Sequence, residues 1–243
     1  MLETITIFDD VDNPAKVKQG HRVTDIKEAV RKQNRVNIYV DDKFFCSLDI
    51  SQVVDFSIKI GRKLTDEELE ELKRASDFSK FYARALEYAL MRPHSTKEIR
   101  DYLKRKTLSK KVRVKNRKTG EYQTKLQQGY DPSLVPLVLG RLGERGYLDD
   151  HRFAELWVEN RNVKKGVSLK KLRNELLKKG ISQNIIEEVL QDSSRDDREE
   201  LRKIIARKAN RYDDQQKLIQ YLVRQGFNYS DVLDELASSS EGA

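Results

Sequence analysis

Residues 168–190 read SLKKLRNELLKKGISQNIIEEVL, and the reading of this stretch decides the fold. Leu169, Leu172 and Leu176 recur at helical spacing, with Lys179 one turn further on, so an apolar stripe runs along one face. Ser168 is a natural N-cap, because its hydroxyl accepts from the free amides of the first turn. Gly180 can take the left-handed conformation that ends a helix. Ile181, Ile185, Ile186, Val189 and Leu190 then form a second helical stripe. Two short helices around a glycine turn cannot bury both stripes alone, so the unit needs copies to pack against.

The copies are present. A shift of 46 residues brings back DQQKLIQYLVRQGFNYSDVLDEL, with Asp214 for Ser168, Leu218 and Leu222 for Leu172 and Leu176, Gly226 for Gly180 and Phe227 for Ile181. A backward shift of 73 places Ser95 at the cap, Ile99 and Leu103 on the stripe, and Thr107 where the glycine stood. The second helix of that copy (Leu134, Val135, Val138, Leu139) aligns only at a backward shift of 51, so 22 residues are inserted inside it. A further helical stretch precedes each copy, which makes the unit three helices. The expected fold is therefore mainly α: three tandem three-helix, helix-turn-helix-like repeats in an elongated curved array. The boundaries expected are 1–75 for an N-terminal β-meander and helix, 76–148 for repeat one with an insertion at about 108–129, 149–191 for repeat two and 195–237 for repeat three, with a disordered tail at 238–243.

Composition narrows the function. Charged residues make up 36% of the 243 and hydrophobic ones 37%, a balance suited to thin amphipathic helices rather than a large buried sheet. The single cysteine, Cys46, cannot form an intramolecular disulfide and fits a reducing compartment. No apolar run resembles a signal peptide or is long enough to span a bilayer, so a soluble, cytoplasmic protein is expected. Net charge is +8, but residues 104–125 hold ten Lys or Arg against one acid, Glu121. That local +9 exceeds the total, so the rest of the chain is nearly balanced and the basic stretch points to a polyanionic partner.

Towards the N-terminus, residues 4–8 suggest an edge strand or a loose arm. Residues 23–30, 36–40 and 44–48 read as a three-stranded meander, broken at Asn34 and at Asp41-Asp42. Three strands need a cover; residues 51–59 are the candidate helix, ended by Gly61. Thr65 and Glu68 form a capping box, and Asp77 is placed to start a new helix that carries Phe81, Ala85 and Leu86 and stops before Pro93. Inside the insertion, Val112 and Val114 alternate with Arg113 and Lys115, Lys118-Thr119-Gly120 is a turn, and Tyr122 and Thr124 alternate with Gln123 and Lys125. This is a β-hairpin with basic faces, able to enter a groove or set lysines along phosphates. Its candidate binding residues are Lys104, Arg105, Lys106, Lys110, Lys111, Arg113, Lys115, Arg117, Lys118 and Lys125. Further on, Asp149 or Asp150, and later Asp196 or Asp197, cap helices, and Trp157 belongs to a buried stripe with Phe153.

Catalytic chemistry is not legible. Gly140, Gly143 and Gly146 do not have the spacing of a phosphate loop, His21, His94 and His151 are far apart, and one cysteine cannot build a zinc cluster. No catalytic, cofactor-binding or metal-ligating residue is assigned, and an enzyme is not expected.

Residues 78–236 resemble the recombination regulator RecX family. The likeness rests on residues 85–90 followed by Arg92-Pro93-His94-Ser95, on Gly146-Tyr147-Leu148-Asp149-Asp150 with Arg152-Phe153-Ala154, on Arg161 and Lys165-Gly166, and on Glu175-Leu176 with Lys179-Gly180-Ile181. Residues 23–75 are similar to the N-terminal extension of some members. Thr107 and the basic insertion depart from the family's pattern. The resemblance implies a bacterial, cytoplasmic, monomeric modulator of the RecA recombinase that binds the RecA filament on single-stranded DNA, opposes its ATPase and strand exchange, binds DNA weakly and needs no cofactor. It would thereby modulate recombination, DNA repair and the SOS response. The competing expectation is a helical-repeat protein that acts directly on DNA through the basic hairpin.

Overall fold

The computed structural model describes residues 20–29, 34–116 and 119–240; the expected strand or arm at 4–8 lies outside them. The chain divides into two compact units, Met1–Lys80 and Phe81–Ala243. Among the described residues no helix is long and apolar enough to cross a membrane.

The first unit is an antiparallel sheet with helical cover. Strands β1 (His21–Glu28), β2 (Arg35–Val40) and β3 (Lys43–Asp49) form the expected meander. Asp41 and Asp42 both have positive φ (48° and 65°), the conformation a two-residue hairpin turn requires. After the short helix α1 (Ile50–Asp55), a fourth strand, β4 (Lys63–Leu64), pairs with the start of β1, so the order is β3-β2-β1-β4. Alternation puts Val23, Ile38, Val40, Cys46 and Leu48 on one buried face, where Ile58, Leu64 and Leu72 meet them.

Two expectations are corrected here. The helix expected over 51–59 stops after six residues, because Ser57 turns left-handed (φ 49°) and drops Ile58 into the core; Gly61 (φ 88°) belongs to the turn into β4 rather than to a helix end. Asp77 does not start a helix. One helix, α2 (Asp66–Met91), runs through it. No Gly or Pro interrupts the run, and the Asp77 carboxylate lies 3.8 Å from Lys80 one turn on. The expected boundary at 75/76 thus falls within a helix, and the two units divide five residues later, at Lys80/Phe81. The capping box does form at the start of α2: Glu68 N–H donates to Thr65 Oγ1 (3.3 Å) and Thr65 N–H to Glu68 Oε2 (2.8 Å).

The second unit is helical. It comprises the end of α2, α3 (Thr96–Thr107), α4 (Leu134–Glu144), α5 (Asp150–Asn160), α6 (Leu169–Lys178), α7 (Gln183–Asp192), α8 (Asp197–Lys208), a 3-10 turn (Ala209–Arg211), α9 (Gln215–Arg224) and α10 (Tyr229–Ser240). A hairpin of β5 (Lys110–Lys115) and β6 (Tyr122–Gln127) interrupts it between α3 and α4. Helices α5–α7 bury one apolar cluster, including Phe153, Leu172, Leu176 and Ile186. Helices α8–α10 bury another, including Leu201, Leu218, Leu222 and Phe227. Ser95, Ser168 and Asp214 cap α3, α6 and α9, accepting from Glu98, Lys171 and Gln216 amides. Gly180 and Gly226 take φ of 80° and 102° at the turns that follow α6 and α9. The tail is corrected in part: α10 continues through Ser240, with Ser238 Oγ donating to Asp234 O (2.9 Å), and residues 241–243 lie outside the described ones.

Candidate nucleic-acid interface

The hairpin's register assigns its faces. Lys111 stands opposite Leu126, Arg113 opposite Thr124 and Lys115 opposite Tyr122, while Lys110, Val112 and Val114 face Gln127, Lys125 and Gln123. Opposed residues share a face, so one side carries Lys111, Arg113 and Lys115 and the other Lys110 and Lys125. The Arg113 guanidinium lies 5.3 Å from the centre of the Tyr122 ring. Val114 (42%), Tyr122 (62%) and Leu126 (67%) remain exposed, so neither side of the ribbon is covered by the chain itself. Arg117 and Lys118 lie outside the described residues.

The root of the hairpin explains why Thr107 can replace a glycine. After α6, Gly180 N–H and Ile181 N–H turn back to the carbonyls of Leu177 and Leu176 (2.9 and 3.1 Å). After α3 the chain leaves into β5 instead, and the carbonyls are met on its return: Tyr130 N–H donates to Lys106 O at 3.1 Å. Thr107 Oγ1 closes the Lys104 carbonyl at 2.8 Å. Gly129 passes so close to the Thr107 carbonyl that a Cβ there would overlap it. Lys104, Arg105 and Lys106 occupy the last turn of α3, where the helix dipole favours cations.

A cleft of about 370 Å³ opens at this root, lined by Arg84 of α2, by Tyr102, Arg105 and Lys106 of α3, and by Lys110, Gln127, Gln128 and Tyr130. Tyr102 stacks on Tyr88 (centroids 4.0 Å, 5°) and carries Lys106 over its ring at 5.0 Å. Tyr130 stacks on Phe81 (4.4 Å, 7°) and carries Arg84 at 5.9 Å. Burial lowers the Lys106 pKa, and the charges of Lys110, Arg84 and Arg105 lower it further. Arg84, Tyr102 and Tyr130 were not candidates from sequence; only the tyrosine directly after Gly129 marks the spot, and Arg84 lies on a different helix.

The residues that carry the family likeness gather elsewhere, at the junctions between helix groups. Ser95 Oγ donates to Lys179 O (2.7 Å), Lys97 Nζ to Lys178 O (2.8 Å), and Thr96 N–H to Asp150 Oδ1 (2.7 Å). Two of these contacts recur one group on, Ser168 Oγ to Gln225 O (2.6 Å) and Leu169 N–H to Asp197 Oδ1 (2.7 Å), while Lys171 Nζ donates to the Gln225 side chain (Oε1, 2.6 Å) rather than to a backbone carbonyl. The adjacent aspartates thus separate in role. Asp149 and Asp196 cap α5 and α8, while Asp150 and Asp197 reach back across the junction. A chain of charge completes the first junction. Glu98 binds both Arg92 (3.1 Å) and Lys179 (2.6 Å); burial pushes its pKa up, but the two cations outweigh that and hold it below the usual range. Lys179 and Arg161 lie 4.9 and 5.2 Å from the centre of the Trp157 ring, and Trp157 Nε1 and Arg161 Nε both donate to Glu175 (3.1 and 2.8 Å).

The remaining motif residues are mostly local. Phe153 and Ala154 are core, Arg152 pairs with Glu155 (2.9 Å), and Tyr147 and Lys165 are exposed while Leu148 is half-buried. Gly166 (φ 76°) lies against the Glu200 carbonyl, where a side chain would not fit.

The contrast in pairing defines the interface. Lys97 and Lys171 reach carbonyl oxygens, but Arg92, Arg161 and Lys179 at the junctions have carboxylates. Along α3 and the hairpin, Lys104, Arg105, Lys106, Lys110, Lys111, Arg113, Lys115 and Lys125 have none among the described residues, and neither does Arg84.

Fold and site together define a mainly helical protein with a small N-terminal antiparallel sheet and an exposed two-stranded ribbon whose described cations have no carboxylate partner among the described residues. The family model for the RecX second three-helix domain matches residues 149–190, and that for the regulatory protein RecX N-terminal domain matches 21–65. Among curated proteins, the regulatory protein RecX of Bacillus licheniformis is 29% identical over 214 residues, covering 85% of this chain and 73% of that protein. The one from Bacillus subtilis is 30% identical over 175 residues, where the alignment takes in 72% of this chain and 58% of the relative. The one from Clostridium tetani is 26% identical, with 91% and 94% covered. A crystal structure of a regulatory protein RecX shares the fold with TM-score 0.64 at 22% identity, over 88% of this chain and 99% of that one. RecX from Lactobacillus salivarius shares it with TM-score 0.50 at 23% identity, over 68% and 97%. The chain belongs to the RecX family.

Proposed function

We propose that this protein binds the RecA filament on single-stranded DNA, inhibits its ATPase and strand exchange, and so modulates recombination, DNA repair and the SOS response. The name its relatives carry, regulatory protein RecX, supports regulation rather than catalysis. The observation that carries the reading is the unpaired charge. A cation without a carboxylate keeps its full attraction for an external anion, and the ribbon concentrates such cations away from the packed helices. Three tandem three-helix repeats, acting as a cytoplasmic monomer without a cofactor, would present this ribbon to filament acids and exposed phosphates while occluding the filament. Weak binding to naked DNA follows from the same charge.

The test is DNA-dependent ATP hydrolysis by the matching RecA, with this protein added at sub-stoichiometric amounts. Strong inhibition is expected. Unchanged hydrolysis, together with tight binding to naked DNA, would replace this reading with direct action on DNA through the hairpin.

A further inference from the structure

We propose that the cleft at the hairpin root seats a single backbone phosphate of a nucleic-acid strand, held by Arg84, Lys106 and Lys110, so that the ribbon grips the strand at its base as well as along its faces. The inference rests on the hairpin being a nucleic-acid-binding element, and it adds Arg84 of α2 to that element.

Five features of the cleft point to a phosphate. Its charged lining is wholly basic: Arg84, Arg105, Lys106 and Lys110 converge on it, and no carboxylate lines it. None of the four cations has an ion-pair partner among the described residues. The tyrosines are already engaged: Tyr102 has Tyr88 stacked against it and Lys106 over its ring, and Tyr130 has Phe81 and Arg84. The rings therefore hold the cations in place rather than offer a platform to a base, and cations already held lose less side-chain freedom on binding. Lys106 is half-buried among like charges, which disfavour its protonated form; an anion between them relieves that repulsion. Gln127 and Gln128 at the rim add neutral amide donors.

The experiment measures binding of a fluorescently labelled oligothymidylate by anisotropy across a salt series. It compares the intact protein with Arg84→Gln/Lys110→Gln, with Lys110→Gln alone, and with Lys111→Ser/Arg113→Ser/Lys115→Ser on the ribbon face that does not carry Lys110. Lys110 is exposed, so its replacement leaves the fold untouched. Loss of one phosphate contact is expected to weaken binding about tenfold in the double variant and to reduce the salt slope by about 0.7. An oligothymidylate with neutral methylphosphonate linkages is the second probe: it should bind the intact protein more weakly, and the double variant should lose less than the intact protein does on going to that probe. If the ribbon-face variant loses affinity while both cleft variants bind like the intact protein, the phosphate seat is wrong and the hairpin reading stands. If the cleft variants lose affinity and the ribbon-face variant does not, the seat stands and the strand is held at the root alone. If the intact protein does not bind the oligothymidylate, both fall.

Discussion

Replacing Gly180 by alanine tests whether the helix groups are clamped as described. Gly146 is the matched control. Both glycines follow a helix, both take a left-handed φ (80° and 73°), and both precede a residue whose amide returns to the helix, Ile181 to Leu176 O and Tyr147 to Leu142 O. Alanine at either position meets the same backbone strain, about 1–2 kcal/mol. The surroundings differ. A Cβ at Gly146 has nothing within 4 Å, whereas at Gly180 it would lie 2.7 Å from Lys97 Cβ and 2.8 Å from its Cδ. Lys97 cannot yield by swinging its tip, because its Cβ is fixed to α3; the turn must retreat instead. Retreat stretches the bonds from Ser95 Oγ to Lys179 O and from Lys97 Nζ to Lys178 O, each worth about 1 kcal/mol. Gly180→Ala should therefore cost about 3–4 kcal/mol and Gly146→Ala about 1–2. Urea unfolding followed by circular dichroism measures both. Equal costs for the two variants would show that Gly180 serves its own turn only and that the contact with α3 holds nothing.

In the first unit, His21 bridges Asp41 (2.7 Å) and Asp66 (3.0 Å), and its pKa is raised, chiefly by the bond to Asp41. A raised folded-state pKa stabilises below the unfolded value and loses that contribution as pH rises through the folded value. The His21 imidazole, followed by NMR, should accordingly titrate above the usual histidine range, and Asp41→Asn should bring it down; a titration unchanged by that substitution would refute the bridge. Cys46 is buried in the sheet's core, which pushes its thiol pKa up to about 11. Its reaction with a disulfide reagent at pH 8 should thus wait for unfolding, and fast labelling of the native protein would show that the sheet opens.

What was legible in the sequence was local. Ser168 and Ser95 announce caps because a hydroxyl beside free amides needs no distant partner, and Gly180 and Gly226 announce turns because the conformation they permit is their own. The hairpin was legible for the same reason: alternation and a turn lie within one short segment. What was missed depends on contacts far apart in the chain. Which of Asp149 and Asp150 caps α5 cannot be decided until Thr96 is known to lie within 2.7 Å of Asp150. Arg84 became a site residue only when the hairpin's return brought Tyr130 beneath it. The unbroken α2 was hidden by Asp77, a residue that caps a helix or sits exposed within one equally well.

The junction chemistry accounts for where the basic insertion sits. A junction needs a turn whose carbonyl accepts from the preceding group's cap, Lys179 O from Ser95 and Gln225 O from Ser168. It also needs a glycine beside that carbonyl: Gly180 lies against Lys97, Gly226 against Ser168 and Lys170. Those two turns are committed to neighbours and have no room for extra residues. The equivalent turn after α3 has no earlier copy of the unit in the sequence to dock on, so neither the glycine nor the short length is needed there, and Thr107 with 22 further residues is accommodated. At the opposite end the cap itself changes. Serine both accepts and donates, whereas the carboxylate of Asp214 only accepts; it holds the Gln216 amide at 2.8 Å but has no proton for a further carbonyl. The clamping hydroxyl is therefore present at α3 and α6 and absent at α9, and the turn after α3, which no junction claims, is where the basic insertion sits.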